Sequence, residues 1–433
     1  MTPPMEPLWN ANYCKVMTAN FALFFAFYLL TPLLPLYLHE TFGATKDTIG
    51  LVLSGYTLTA LLFRPFSGYL VDTFPRKTVL LMAYTAFAVF FAGYLAASSL
   101  LLFTIVRTLH GGPFGAVTVA NSTVAIDVLP SSRRNEGIGY YGLSNNLAMA
   151  LAPTFAIFVY TQTHHFRLLF WLALAIAAFG LLVDSTVAHS RPPAPPRISA
   201  AAPPRPRLSL DRFFLLRGWL LAANMVFFGY CFGVLSNYLA IYGRQELGIT
   251  GGTGTWFMLC SLGLMLSRLL GGRALRQGRL SHNAAHGMLV SLLGYVLFIL
   301  MPTVSPHLTS LIAQSSAISH LPSSIIHLTS SIIGYYGSAL LIGLGNGHLW
   351  PAFQNMMISM AHHRERGTAN STILVAWDVG MGLGILLGGV TAEHLGYAAA
   401  FWTVALINLL GVALYFAATR QSYLRNKISP ADT

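Results

Sequence analysis

A chain of 433 residues that is 55% hydrophobic and only 9% charged has too few polar side chains to cover a water-soluble body of its size, so its solvent is a bilayer. A formal net charge of +12 would suit a nucleic-acid binder, but the basic residues sort by loop, and that sorting is a matter of membrane topology. The cysteines, Cys14, Cys231 and Cys260, include no pair placed for an exported disulfide.

Crossing ~30 Å of hydrocarbon takes about 20 apolar residues in a helix, and twelve such runs can be placed. The first, Val16 to Leu38, has no basic stretch before it and no small-residue cleavage site after it, and reads as a retained helix rather than a signal peptide. Ile49 to Val71, Thr78 to Ser98, Leu100 to Ile126, Ile138 to Thr161 and Leu168 to Val187 complete a first half, 1–187. Residues 188–212, rich in Pro and Arg, read as an extended linker drawn to anionic headgroups. The second half, 213–433, holds Phe213 to Tyr242, Gly252 to Ala274, Ala285 to Val304, Ser331 to Ile358, Thr368 to Thr391 and Tyr397 to Thr419. Nearly all basic residues, among them Lys15, Arg76, Lys77, Arg133, Arg276, Arg279, Arg366 and Arg425, then fall on one side; Lys46, Arg167 and Arg244 fall on the other. The positive-inside rule predicts that both termini are cytoplasmic. Arg64, Arg107 and Arg268 sit inside spans.

The segment from Arg64 to Lys77, with Gly68, Asp72 and Arg76, recurs in degraded form from Arg268 to Arg279, and Ser131 to Gly137 is echoed by Ala361 to Gly367. Two similar membrane halves are the mark of secondary transporters, whose substrate site lies between the repeats. The offset between copies widens in the second half, which places an insertion at 305–330. This Ser- and His-rich stretch either extends the flanking helices or forms an interfacial helix. His307, His320 and His327 within it have no accompanying carboxylate or thiolate and read as interface histidines, not as metal ligands.

The run Gly68-Tyr-Leu-Val-Asp72-Thr-Phe-Pro-Arg76-Lys77, between spans two and three, resembles the signature loop of the major facilitator superfamily. The resemblance implies an all-α membrane fold of two pseudo-symmetric six-helix bundles, with spans one, four, seven and ten around a central cavity. It also implies a charge cluster of Gly68, Asp72, Arg76, Asp127 and Glu136, which either biases one gate or fixes topology. Thr73 and Pro75 depart from the usual loop, where a base and a glycine are common. In span four, Arg107-Thr-Leu-His110-Gly111-Gly-Pro-Phe-Gly115 resembles the intramembrane Arg motif of proton-coupled exporters. Arg107, Gly111 and Gly115 share a helix face, so a neighbouring helix can approach closely there. An arginine at that depth costs roughly 3 kcal/mol, which calls for a partner or a wet cavity; the plainer reading is that it holds span one. Span five, with Asn145, Asn146, Ala148, Ala152 and Pro153, resembles the antiporter motif only faintly.

Of the thirteen acidic residues, Asp378 alone reads as lying well inside a span, ~17 Å beyond Gly367 by helix rise. Arg64 lies ~12 Å from Asp72 by the same measure, and the family fold would let the two charges meet. Asp378 is then a structural lock with Arg64, a proton-coupling site, or both. His110 and His348 are candidates for the substrate cavity, for proton traffic or for hydrogen bonds between helices. By analogy the cavity-forming spans contribute Tyr28, Asn224, Tyr230, Asn237, Asn346 and Trp350, a lining that suits an apolar or amphipathic organic solute. The leading expectation is a proton-coupled exporter of small organic compounds in a bacterial-type inner membrane, functional as a monomer, with protons and a small solute as partners. The alternative is a nutrient importer of the same fold. No Walker loop, HExxH or nucleophile triad is present in or beside the spans, so neither an enzyme, a cofactor, a bound metal nor a nucleic-acid partner is expected.

Overall fold

The computed structural model describes residues 7–31, 33–44, 46–188, 213–247, 253–313 and 323–428. All but Ala188 of the expected linker, and 314–322 of the expected insertion, lie outside these residues.

Among the described residues the regular structure is entirely helical. In chain order the helices are α1 (Ala11–Leu30), α2 (Leu34–Phe42), α3 (Lys46–Thr73), α4 (Arg76–Ala96), α5 (Leu100–Val128), α6 (Arg134–Thr163), α7 (Phe166–Ser185), α8 (Trp219–Glu246), α9 (Thr253–Arg276), α10 (Leu280–Ala313), α11 (Ser323–Ile358), α12 (Arg366–Leu395), α13 (Tyr397–Leu414) and α14 (Arg420–Asn426). Every expected apolar run falls on one of them. Two differ in outline. The first run divides into α1 and α2, with Pro35 in the first turn of α2, where its missing N–H breaks no helical bond. The seventh starts its α-helix at Trp219 instead of Phe213, after a 3-10 turn at Leu216–Gly218. The described parts of the insertion lengthen α10 and α11.

Ten stretches of the described chain are helical, long and apolar enough to cross a bilayer. The other two expected runs lie on α3 and α11. Each is still long enough to span, at 28 and 36 residues.

Internal contacts divide the chain into two units. Unit 1 comprises Met1–Gly218 together with Ile358–Val375 and Ile428–Thr433; unit 2 comprises Trp219–Met357 and Ala376–Lys427. The start of α12 therefore packs with the first half of the sequence and the remainder with the second. Unit 1 is cored by aromatics of α2, α4, α5 and α7, including Tyr37, Phe87, Phe91, Tyr94, Phe103 and Phe170. Unit 2 is cored by Tyr242, Trp256, Tyr295, Phe298, Tyr335 and Phe401. Without a hydrophobic drive between helices in lipid, close backbone approach supplies the packing. Gly115 on α5 lies against α3, where an added Cβ would stand 2.6 Å from the Ala60 carbonyl oxygen.

Candidate functional site

Asp72 and Arg76 are placed by Pro75. The residue before a proline resists helical geometry, so α3 ends at Thr73 and α4 starts at Arg76, leaving the carboxylate in the last turn of one helix and the guanidinium in the first turn of the next. Asp72 faces the beginning of α12. Gly367 N donates to its Oδ1 at 2.8 Å, Thr368 N to its Oδ2 at 2.7 Å and the Thr368 hydroxyl to Oδ2 at 2.8 Å. A helix N-terminus has unpaired N–H groups and a positive dipole end, so the carboxylate acts as a cap delivered from another helix. The two backbones nearly touch here: a Cβ on Gly68 would stand 2.8 Å from Ser371 Cβ and 2.9 Å from the Gly367 carbonyl oxygen.

A second layer of charge surrounds this cap. Arg76 donates from Nη1 to Asp127 and from Nη2 to the His363 carbonyl at 2.6 Å, with Asp72 Oδ1 at 3.5 Å. Asp127 also accepts from Arg366 Nη1 at 3.2 Å. The side chains of Arg76, Asp127 and Arg366 are only 9%, 14% and 3% exposed, so the pairs are largely shielded from the water and salt that weaken surface bridges. Of the expected cluster, Gly68, Asp72, Arg76 and Asp127 come together around the α12 terminus. Glu136 accepts from Arg133, whose Nε and Nη2 lie 3.0 and 2.8 Å from Oε2. Its counterpart Glu365 pairs with Arg217 and accepts from His362 N at 3.1 Å. The polar start of α12 is fastened further by Asn370, which donates to Ser122 Oγ on α5, and by Thr372, whose hydroxyl accepts from Leu215 N at 3.0 Å.

Farther along the spans, Arg64 is buried and donates from Nη1 to the Leu374 carbonyl at 3.2 Å, within unit 1. Asp378 is buried in the unit 2 stretch of α12. The adjacent Trp377 meets Trp350 edge to face at 5.0 Å and Phe232 at 5.4 Å. Arg107 is partnered by aromatic rings: its guanidinium carbon lies 4.0 Å from the Tyr56 ring centroid, and Nη1 donates to Tyr94 OH at 3.3 Å. The helix that approaches Gly111 and Gly115 is α3, not the first span. His110 sits in the same aromatic box, its Nδ1 2.8 Å from Tyr94 OH and its ring stacked on Phe90 at 5.2 Å. Tyr28 is half-buried and stacks on Phe24 at 6.0 Å.

Several amides and hydroxyls expected around a cavity bond to neighbouring helices of unit 2. Asn224 donates to Thr419 Oγ1 at 2.7 Å, and Tyr230 OH lies 2.9 Å from Thr403 Oγ1, both on the α13 side. Asn346 accepts from Ser291 on α10 at 3.1 Å. His348 pairs with Asn283 of the same helix, Nδ1 to Oδ1 at 3.0 Å. Asn237 is exposed and donates to the Gly233 carbonyl at 2.9 Å.

A family model for the Major Facilitator Superfamily matches residues 16–337 and 316–431. The chain belongs to the major facilitator superfamily. It is similar to the Staphylopine export protein of Staphylococcus aureus strain Mu50, with 21% identity over 413 residues and 94% of each chain covered. The Quinolone resistance protein NorA of Staphylococcus aureus strain MRSA252 is 26% identical over 159 residues, 37% of this chain and 41% of that one. Among solved structures, the human organic anion transporter MFSD10 (TETRAN) superposes with a TM-score of 0.72 at 18% identity, over 95% of this chain and 100% of that one. The fold and the relatives are those of transporters, not enzymes, and this superfamily member is a multi-pass integral membrane transporter.

One acid of this superfamily member escaped the sequence reading. Asp184, one residue before the end of α7, is completely buried, and neither carboxylate oxygen has a hydrogen-bond partner among the described residues. Lys77 passes beside it to donate to the Ser185 and Val187 carbonyls at 2.7 and 2.8 Å. An acid at the edge of an apolar run looks like a boundary marker, so only the small Gly180 one turn earlier, which admits the Tyr84 ring, hinted at a packed surrounding.

Proposed function

We propose that this transporter exports a small amphipathic organic solute by alternating access, in exchange for protons, from a bacterial-type cytoplasmic membrane with both chain termini inside. Similarity to an exporter over 94% of both chains supports the direction. The observation that carries the mechanism is the make-up of α12, which bears at its start the N–H groups gripped by Asp72 and, ~16 Å along its axis by helix rise, the buried acid Asp378. A helix is stiff over that distance, so a change in charge at Asp378 and the making or breaking of the Asp72 cap bear on one rigid element. In this reading Asp378 accepts the coupling proton and the cap holds one access route shut. Half-buried aromatics such as Tyr28 and Trp350 supply stacking surfaces for the solute.

The test is transport in proteoliposomes under an imposed pH gradient, with a fluorescent amphipathic cation and an amphipathic anion as probes. The wild-type chain is expected to move a probe against its gradient when protons flow the opposite way. Asp378→Asn is expected to abolish this while leaving exchange of probe for probe. Unchanged proton-driven flux in Asp378→Asn would remove the coupling role, and flux in the same direction as protons would make the chain an importer.

A further inference from the structure

Unit 2 contains a cavity of about 490 Å³ among the ends of α9 and α10 and the middle of α11, which the transport scheme above leaves unused. Its chemistry differs from one end to the other. At the inner end stands His348, 3% exposed. Asn283 Nδ2 donates to the His348 carbonyl at 3.0 Å, which fixes Asn283 Oδ1 as the acceptor for His348 Nδ1. His348, which lines the cavity, then keeps a buried lone pair on Nε2 with no partner among the described residues. Gly271 makes the space, since a Cβ there would stand 2.5 Å from the His348 ring. The His286 ring stands across from it at 5.3 Å, edge to face.

The outer end is cationic. Arg279 and His282 are exposed at the first turn of α10, whose leading N–H groups have no partners within the helix. No acidic residue is among the described residues that line the cavity. The wall between the two ends is apolar, formed by Leu270 and Ala274, and Leu269 and Leu270 are 74% and 67% exposed on a helix long enough to span the bilayer, so that side faces acyl chains. An occupant that satisfies every part carries an anionic group, a hydrogen-bond donor about 5 Å deeper by helix rise from Leu280 to Asn283, whose side chain holds the His348 ring, and an apolar body attached at the outer rim.

We propose that this cavity binds a phospholipid headgroup, with the phosphodiester at Arg279 and the start of α10 and a headgroup hydroxyl or ammonium donating to His348 Nε2. The acyl chains leave past Leu269 and Leu270. Phosphoglycerol and phosphoethanolamine headgroups meet the requirement; a phosphocholine headgroup, which has no donor, does not.

Native mass spectrometry of the full chain, released from detergent after incubation with palmitoyl-oleoyl lipids of these three headgroups, tests the assignment. The phosphoglycerol and phosphoethanolamine lipids should be retained about ten-fold more strongly than the phosphocholine lipid, the scale of one well-made hydrogen bond to a buried acceptor. Arg279→Ala and His286→Leu alter exposed side chains, so their melting temperatures should match the wild type while retention of the preferred lipids falls several-fold. Equal retention of all three lipids, or wild-type retention in both variants, overturns the proposal. Binding of soluble glycerophosphoethanolamine as tightly as the lipid would assign the cavity to a free phosphate ester and overturn the lipid source. A mass increment of one divalent metal ion that disappears in His286→Leu would assign it to a metal and overturn the headgroup altogether.

Discussion

The two copies of the ancestral loop have met different fates. In the first, Gly68 presses against Ser371 and Gly367, and Asp72 caps the α12 terminus. In the second, Gly272 has no atom within 4 Å of a would-be Cβ, and where the first copy has Asp72 the second runs on through Arg276, Gln277, Gly278 and Arg279 without an acid. The intramembrane arginines that precede each loop remain alike: Arg64 donates to the Leu374 carbonyl and Arg268 to the Gly347 carbonyl at 2.7 Å. The first copy thus carries a carboxylate that satisfies unpaired N–H groups at a helix end, and the second has no acid at the corresponding positions.

The sharpest way to break this contrast is Gly68→Leu. Overpacking costs about 1–3 kcal/mol even where neighbours can yield, and here the neighbour on one side is backbone, so loss of transport and a lowered melting temperature are expected. Asp72→Asn should come next. The amide turns one N–H2 toward donors that need an acceptor, and charge-assisted bonds of about 1.5–3 kcal/mol are weakened. Hydrogen exchange across 362–372 should quicken roughly ten-fold or more, with transport falling in parallel; unchanged exchange would show that Asp72 does not hold this terminus. Arg76→Lys keeps the charge but loses the fork that reaches Asp127 and the His363 carbonyl together, and a partial loss of transport with little change in expression is expected. Gly272→Ala, in the open copy, should change the melting temperature by no more than about 0.5 kcal/mol of stability implies. A large effect there would mean that the second loop also closes on a neighbour during transport.

The charge cluster itself was legible. The resemblance of the signature loop to that of the family grouped Asp72, Arg76, Asp127 and Glu136, and crowding of short loops at a membrane edge gave the pairs a physical reason. Their real partners could not be read in that way. Asp72 binds the N–H groups of Gly367 and Thr368, and Arg76 binds the carbonyl of His363; backbone groups are the same in every residue and leave no signature in a sequence. Arg107 shows the same blindness, since a search for an anionic partner passes over the Tyr56 ring face.

The sequence by itself determined the solvent and the rough bounds of the apolar runs, because both follow from composition and spacing along one dimension, and its 68–77 loop resembled that of the family to which the chain belongs. Only the tertiary structure decided which side of each helix faces what. In a bilayer both lipid and protein neighbours are apolar, so a spanning helix need not be amphipathic, and Asn224, Tyr230 and Asn346 gave no sign that they would bond to Thr419, Thr403 and Ser291. Likewise, the burial of Asp184 and of the His348 Nε2 lone pair, which has no partner among the described residues, arises where separate helices close around them, a property of the packing that no single stretch of chain contains.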